Sequence, residues 1–269
     1  MMIIDIESKG NKILKNVVSL KNKKTRDTQD EFVIEGMNLV REATENKGKI
    51  LYIIASRSFL NHEKNYDILE ENLNQGIPVY SLSDSLFEYI SDTKTPQGLL
   101  AVVKKPEFNF TSILEKAGSN LLVLDRIQDP GNLGTMLRTA DASGIDGIVL
   151  LKGSADVFQP KVVRAAAGSL FRVPTMQIES DELAIRLLKR HGKKIIATAP
   201  LQAKYYYEVR MIEDIALIIG NEANGISSLF YEKADEIIKI PMVGNTESLN
   251  AAIASSIIMY EMLRQRMML

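Results

Sequence analysis

The sequence predicts an α/β protein in two parts, the second built on a parallel sheet. Three observations predict it. Short apolar runs alternate with helical patterns along the whole chain; runs such as NLLVL (120–124) and IALII (215–219) are apolar without alternation; and a charged stretch with a proline, KKPEFNF (104–110), breaks both patterns. Strands that are apolar throughout suit a parallel sheet whose two faces are both covered by helices, because neither face meets water.

In the first half the candidate strands are Phe32–Glu35, Ile50–Ala55, Ile77–Ser81 and Leu99–Val103. Helical patterns lie between them at Met37–Glu45, Asn65–Asn74 and Asp84–Ile90, the last opened by Ser83 as a plausible N-cap. In the second half the strands are Leu121–Leu124, Gly147–Leu151, Val173–Gln177, Lys194–Thr198, Ile215–Ile219 and Glu236–Ile240. Helices are expected at Leu133–Ala142, Lys161–Leu170, Asp181–Arg190 and Ser248–Met267. The division that follows is a first domain over 1–104, a linker over 105–118 and a second domain over 119–269.

Composition narrows the chemistry. A chain of 269 residues with 45% hydrophobic and 25% charged residues is of the soluble globular class. No apolar stretch approaches the roughly 18–20 residues that span a bilayer, and MMIIDIESKGNK lacks the basic and apolar regions of a signal peptide. A cytoplasmic protein is expected. The absence of cysteine excludes disulfides, thiolate zinc sites and a cysteine nucleophile. His62 and His191 stand in polar segments and read as surface residues, so neither a metal site nor a Ser-His-Asp triad is expected. The net charge of −1 conceals a run from Lys9 to Arg26 with seven basic residues and no acidic one. By charge alone that run is either a solvated segment or a phosphate-binding patch.

Three loops at expected strand ends carry unusual polar residues. The first, LDRIQDPGNLGTMLRTADASG (124–144), breaks at Asp129–Asn132 and runs into a helix bearing Arg138. The second, IALIIGNEANGIS (215–227), ends a buried strand at Gly220-Asn221-Glu222. The third, IPMVGNTESLNAAIA (240–254), places Thr246 or Ser248 as the cap of the last helix and Asn250 in its first turn. In that helix Leu249, Ile253, Ile257, Tyr260 and Leu263 are expected to face the core, and small residues from Ala251 to Ser256 leave the first turns slim. Phosphate-loop and dinucleotide glycine fingerprints are both absent, and none of the three loops holds a lysine.

In that order, NLGTMLRTA (132–140), IIGNEANGIS (218–227) and IPMVGNTESLNAAIA (240–254) resemble the motifs of the SpoU (TrmH-type) RNA ribose 2′-O-methyltransferases of the SPOUT superfamily. The resemblance covers roughly residues 120–269. KKTRDTQDEFVIEG (23–36) and TPQGLLAVV (95–103) are similar, more weakly, to the RNA-binding domain often found before that catalytic domain.

The resemblance implies a C-terminal α/β domain with a deep trefoil knot, S-adenosylmethionine held in the knot, a homodimer through that domain, and RNA as substrate. Ribosomal RNA is favoured over transfer RNA. It places Asn132, Arg138, Glu222, Ser248 and Asn250 in the reaction: Arg138 at the ribose and its phosphate, Asn132 orienting it or the nucleotide, Ser248 and Asn250 fixing the loop and the 2′-hydroxyl, and Glu222 near the sulfonium or Arg138. It places Gly220, Ile240 and Leu249 against the cofactor, with Thr198, Ala199, Met242 and Ala251 nearby. Lys21, Lys23, Lys24 and Arg26 become candidate RNA contacts, joined by Arg126 and Arg164.

Rival readings are a transfer-RNA 2′-O-methyltransferase and a non-catalytic RNA-binding relative, which would be expected to lose one of the five reaction residues. A dinucleotide-dependent oxidoreductase needs a glycine fingerprint followed by a ribose-binding acid, and neither stands in order.

Overall fold

The basic N-terminal run folds into two helices because an asparagine stands at the start of each. In the computed structural model, which describes residues 3–46, 48–200, 203–246 and 248–268, Asn11 accepts from the Ile13 amide at 2.8 Å and opens α1 (Lys12–Ser19). Asn22 accepts from the Lys24 amide at 2.9 Å and opens α2 (Lys23–Gln29). Asp30, at φ 57°, ends α2 in the left-handed conformation that stops a helix. Leu14, Val17 and Leu20 are buried while Lys12 and Lys15 face out, so the run is amphipathic rather than frayed.

These helices lie among the strands β1 (Ile3–Ile6), β2 (Glu31–Glu35), β3 (Ile50–Ser56), β4 (Val79–Leu82) and β5 (Leu99–Lys104), ordered β1-β4-β3-β5-β2. The first three of that order are parallel, and β5 runs antiparallel to both its neighbours. Helices α3 (Met37–Glu45), α4 (Arg57–Leu60), α5 (Tyr66–Asn74) and α6 (Asp84–Ile90) connect them. The strand expected at Ile77–Ser81 begins at Val79, because Pro78 has no N–H to give a ladder; its carbonyl accepts from Ile53 at 2.9 Å.

Contacts divide the chain into two units, Met1–Glu107 with Asp156–Phe171, and Phe108–Ala155 with Arg172–Leu269. The division differs from the sequence reading in two places. The first is the expected linker, where Asn109 caps α7 (Phe110–Glu115) and Phe110 and Leu114 are buried in the second unit's core. A Cβ at Gly147 would meet the Phe110 ring at 3.0 Å, so the strand start there is kept bare. The second is 156–171, which packs with the first unit. There α9 (Pro160–Ala166) stops at Ala167 (φ 48°) and Gly168 (φ 92°), short of the expected Leu170. Phe158 and Phe171 lie 5.0 and 6.1 Å from the Phe32 ring, and Asp156 pairs with Arg26.

The second unit holds a seven-stranded, wholly parallel sheet, ordered β10-β12-β9-β11-β6-β7-β8. Its strands are β6 (Leu121–Asp125), β7 (Gly147–Leu151), β8 (Thr175–Ile178), β9 (Lys194–Thr198), β10 (Lys204–Tyr205), β11 (Ile215–Gly220) and β12 (Glu236–Lys239). β10, two exposed residues with no apolar run, carries no sequence signal. Helices α8 (Pro130–Ser143), α10 (Asp181–Arg190), α11 (Ser228–Lys233) and α12 (Ala251–Met267) complete the unit.

The face expected to bury α12 is corrected. Ala252, Ser255, Ile258, Met259 and Met262 are buried, whereas Ile253 and Tyr260 are 50% and 51% exposed and Leu249 lies outside the helix. The slim residues face α8, where the Thr139 and Ser256 hydroxyls meet at 3.1 Å. Small side chains let the two helices approach at the first turns of α12, while Ile257 and Leu263 of the expected face are half-buried. Among the described residues no helix is long and apolar enough to cross a membrane.

Candidate active site

In a parallel sheet every strand delivers its loop to the same edge. The register aligns Gly220 with Asp125, Ile218 with Ala197 and Thr198 with Ile238, so β6, β9, β11 and β12 end at one level. At that edge Glu222, Asn132 and Asn250 form a chain of hydrogen bonds. Asn132 Nδ2 donates to Glu222 Oε1 at 3.0 Å, and Asn250 Nδ2 donates to Asn132 Oδ1 at 2.8 Å. The amides of Gln128 and Asp129 also donate to the Glu222 carboxylate, each at 3.2 Å. One carboxylate therefore ties the second loop to the first, and Asn132 passes the tie on to the third.

Each member is held by local structure. Asp129 caps α8 by accepting from the Asn132 amide at 2.8 Å, and Pro130 occupies the first turn, where its missing N–H leaves no bond unmade. That lengthens α8 by three residues beyond the expected Leu133 start. Asn250, not Ser248 or Thr246, caps α12: its Oδ1 accepts from Ala252 at 2.9 Å and Ile253 at 3.2 Å. Asn250 uses its carbonyl for the helix and its amide for Asn132. Ser248 is exposed and makes no hydrogen bond among the described residues.

Glu222 does not meet Arg138. Burial raises its pKa, but hydrogen bonds from Asn132 and from the Gln128 and Asp129 amides outweigh burial and hold the carboxyl below the ordinary glutamate range. Arg138, on the third turn of α8, is exposed and has no hydrogen bond or ion pair among the described residues.

Two residues absent from the expected set do much of the bracing. Asn221 Nδ2 donates to the Arg126 carbonyl at 2.7 Å, and its Oδ1 accepts from the Ala223 and Asn224 amides, each at 3.0 Å. Asp125, fully buried at the end of β6, accepts from the Ser227 amide at 2.7 Å and from Arg126; burial raises its pKa. The sequence signal for both was their place at a strand end, directly before a residue that attracted more notice.

Gly220 is glycine for a reason unrelated to a ligand. A Cβ there would stand 2.2 Å from the Gly225 carbonyl carbon and 2.3 Å from the Ile226 nitrogen. A valine at 220 would break the turn, so lost affinity in that variant would not report on a cofactor. Thr198 donates its hydroxyl to the Ile218 carbonyl at 3.0 Å, and the Ala199 amide donates to the Ile238 carbonyl at 3.0 Å. Ile240 and Ala251 are half-buried, and Met242 and Leu249 are 39% and 36% exposed. Among the described residues no group of three or more His, Asp or Glu is gathered as a metal would need.

The expected RNA contacts separate. Lys23 and Lys24 are exposed and make no side-chain hydrogen bond among the described residues. Lys21 is exposed but donates to the Ser91 carbonyl at 3.1 Å. Three arginines are committed elsewhere. Arg26 is 3% exposed and donates to Asp156 at 2.6 Å and to the Leu20 and Lys21 carbonyls at 2.7 and 2.9 Å. Arg126 is gripped by Asp125 and, through both oxygens at 2.7 Å, by Asp181. Arg164 pairs with Asp92 at 2.6 Å within the first unit.

Residues 119–260 match the model of the SpoU rRNA methylase family, and residues 11–101 match an MRM3-like substrate binding domain. The chain is 37% identical over 257 residues to the 23S rRNA (guanosine(2553)-2′-O)-methyltransferase RlmP of Bacillus subtilis, covering 96% of this chain and 98% of that protein. The crystal structure of AdoMet-bound rRNA methyltransferase from Sinorhizobium meliloti superposes with a TM-score of 0.87 at 29% identity, covering 97% and 98% of the two chains. AviRb from Streptomyces viridochromogenes, a SpoU methyltransferase in complex with AdoMet, gives 0.84 at 26% identity and covers 96% and 98%.

Proposed function

The chain belongs to the SpoU rRNA methylase family, and from that premise we propose that it methylates a ribose 2′-hydroxyl of ribosomal RNA, with S-adenosylmethionine as methyl donor. The observation that carries the reading is the Glu222–Asn132–Asn250 chain, which joins three strand-end loops and, among the described residues, leaves the guanidinium of Arg138 without a hydrogen bond or ion pair.

The residues at the strand exits fit the donor's chemistry. Thr198, Ala199, Gly220, Ile240, Met242, Leu249 and Ala251 offer backbone polar groups and apolar walls without a lysine or arginine. An adenosine with no phosphate suits such a lining, and a nucleoside triphosphate does not. When bound, S-adenosylmethionine supplies an electrophilic methyl on a sulfonium sulfur.

Arg138 receives the nucleotide, its planar fork holding the ribose and the adjoining phosphate while Asn132, Ser248 and Asn250 fix the loop around the 2′-hydroxyl. Orientation of this kind contributes on the order of 7–11 kcal/mol when near-attack geometry is kept. Glu222 is a poor proton acceptor here, because its hydrogen bonds stabilise the carboxylate. It serves as the clasp. A guanidinium does not deprotonate in this range, so the hydroxyl proton leaves to an RNA phosphate oxygen or to water.

Lys23 and Lys24, with Lys12 and Lys15 on the outward side of α1, are the cations of the first unit placed for RNA phosphates. Val243, fully exposed, and Ile253 and Tyr260 on the outward face of α12 supply an apolar surface for a second copy, so the reading includes a homodimer through the second unit. The family's trefoil knot belongs to it too, with β12 and α12 as the threaded region, as does action in the cytoplasm. The deciding experiment is transfer of labelled methyl from S-adenosylmethionine to ribosomal and transfer RNA, with 2′-O-methyl sites mapped in a deletion strain against its parent. Label on transfer RNA alone would overturn the substrate, and no label on either would overturn the reading.

A further inference from the structure

An aromatic cluster on the second unit has no part in the clasp. KYYYEVR (204–210) puts three consecutive tyrosines where β10 ends. Tyr205 and Tyr207 stack with ring centroids 5.5 Å apart and an interplanar angle of 14°, and Tyr206 meets Tyr207 edge-on at 5.2 Å. Burial does not account for them, since Tyr205 is 37% and Tyr207 50% exposed. Large aromatic surface kept in water and held in a fixed stack is unusual without a ligand.

Its place in the sheet is informative. Tyr205 pairs in register with Lys239, the last residue of β12, whose neighbour Ile238 pairs with Thr198. The tyrosines therefore stand at the same carboxyl edge as the reaction loops. β10 is three strands from β11 and four from β6. At about 4.8 Å per strand that is roughly 14 and 19 Å, the reach of a few nucleotides of single strand.

We propose that Tyr205 and Tyr207 form a stacking platform for an unpaired base of the RNA, a few nucleotides from the ribose that reacts. The proposal rests on the reading of the chain as an RNA methyltransferase and adds where its substrate is gripped. A second copy of the chain is the competing occupant, and the surrounding charge favours RNA. Lys239 Nζ lies 5.3 Å over the Tyr205 ring, and Arg210 is exposed with no ion pair among the described residues. The Glu208 carboxylate is turned to the Tyr205 amide at 2.9 Å, which fixes the turn. Stacked rings flanked by cations are the arrangement that binds single strands with little regard to sequence.

The chain has no tryptophan, so Tyr207→Trp introduces a single reporter that keeps a stacking face. With an unstructured oligoadenylate as probe, Trp emission in this variant is expected to be quenched as RNA binds. The double variant Tyr205→Ala/Tyr207→Ala is expected to bind the same probe about tenfold more weakly by anisotropy. It should raise KM for a methyl-accepting RNA by a similar factor, with kcat and S-adenosylmethionine affinity unchanged; retained cofactor affinity also shows that the variant is folded. RNA binding by the parent protein without quenching in the tryptophan variant overturns the platform and leaves the methyltransferase reading standing. A double variant that binds RNA normally but sediments as a smaller species assigns the surface to a second copy and likewise overturns it. A parent protein that binds no RNA ends both.

Discussion

Arg138 and Arg26 carry the same guanidinium into opposite circumstances. Arg26, on α2 of the first unit, is 3% exposed and spends its donors on Asp156 and two carbonyls. Arg138, on α8 of the second unit, is exposed and makes no ion pair among the described residues, although three polar side chains at the same sheet edge are bonded to one another. In the first unit the buried arginine holds a remote segment, 156–171, against the strands, and Lys23 and Lys24 beside it stay exposed. In the second, Asn132, Glu222 and Asn250 satisfy one another, and none of them bonds to Arg138. An arginine's availability is thus set by which acceptors the fold brings to it.

The largest effect expected from this contrast is on stability. Arg26→Ala leaves Asp156 with its partner removed, and loss of one member of a buried pair costs about 3–5 kcal/mol. Urea unfolding should show it, while the salt dependence of RNA binding in the folded fraction stays as in the parent. A variant of parental stability would mean that Arg26 is not the strut described. Next is Arg138→Lys, which keeps the charge and loses the fork: methyl transfer should fall about 100-fold with S-adenosylmethionine affinity intact. Near-parental turnover would remove the bidentate role.

The clasp itself is tested by Glu222→Gln and Asn132→Ala, singly and together. Residues in direct contact couple by about 0.5–3 kcal/mol, so the double variant should lose less than the sum of the singles, and strict additivity would dissolve the clasp. Its pH dependence has a definite sign. Because Glu222 is held below its ordinary range, its contribution is complete above the unfolded-state pKa and is lost as pH falls through the lower folded value. The stability gap between parent and Glu222→Gln should therefore be flat from neutrality down to the ordinary glutamate range and close below it. A gap that closed near pH 6 would contradict the assignment.

The smallest expected effect is at the lysines. Neutralising Lys23 and Lys24 together should lower the slope of log K against log salt by about 1–2, with unfolding unchanged. An unaltered slope would move the phosphate contacts off α2.

Much of this was legible in the chain because it is local. Apolar runs without alternation specify strands buried on both faces, and the parallel sheet follows. Gly220-Asn221-Glu222 and Asp129-Pro130 announce strand ends and a helix start through backbone chemistry that depends on near neighbours. Asn132, Glu222 and Asn250 could be chosen on spacing and family resemblance, and the fold brings these three together. Where the sequence misled, the deciding partner was far away. Arg26 meets Asp156 and Arg164 meets Asp92 across 130 and 72 residues, and no local pattern marks such pairs. The outward face of α12 was misjudged for a related reason: helical spacing gives two apolar stripes, and only tertiary packing, with α8 against the small residues, selects the one with Ala252, Ser255, Ile258, Met259 and Met262.

The sequence by itself determined the α/β class and the strand-end loops, since propensity, capping and turn chemistry act over a few residues. Tertiary structure alone decided which charges are free, which stripe of α12 is buried, where 156–171 packs and that two tyrosines stack beside Lys239. Those outcomes depend on contacts between distant segments, whose energies exist only once the chain has folded.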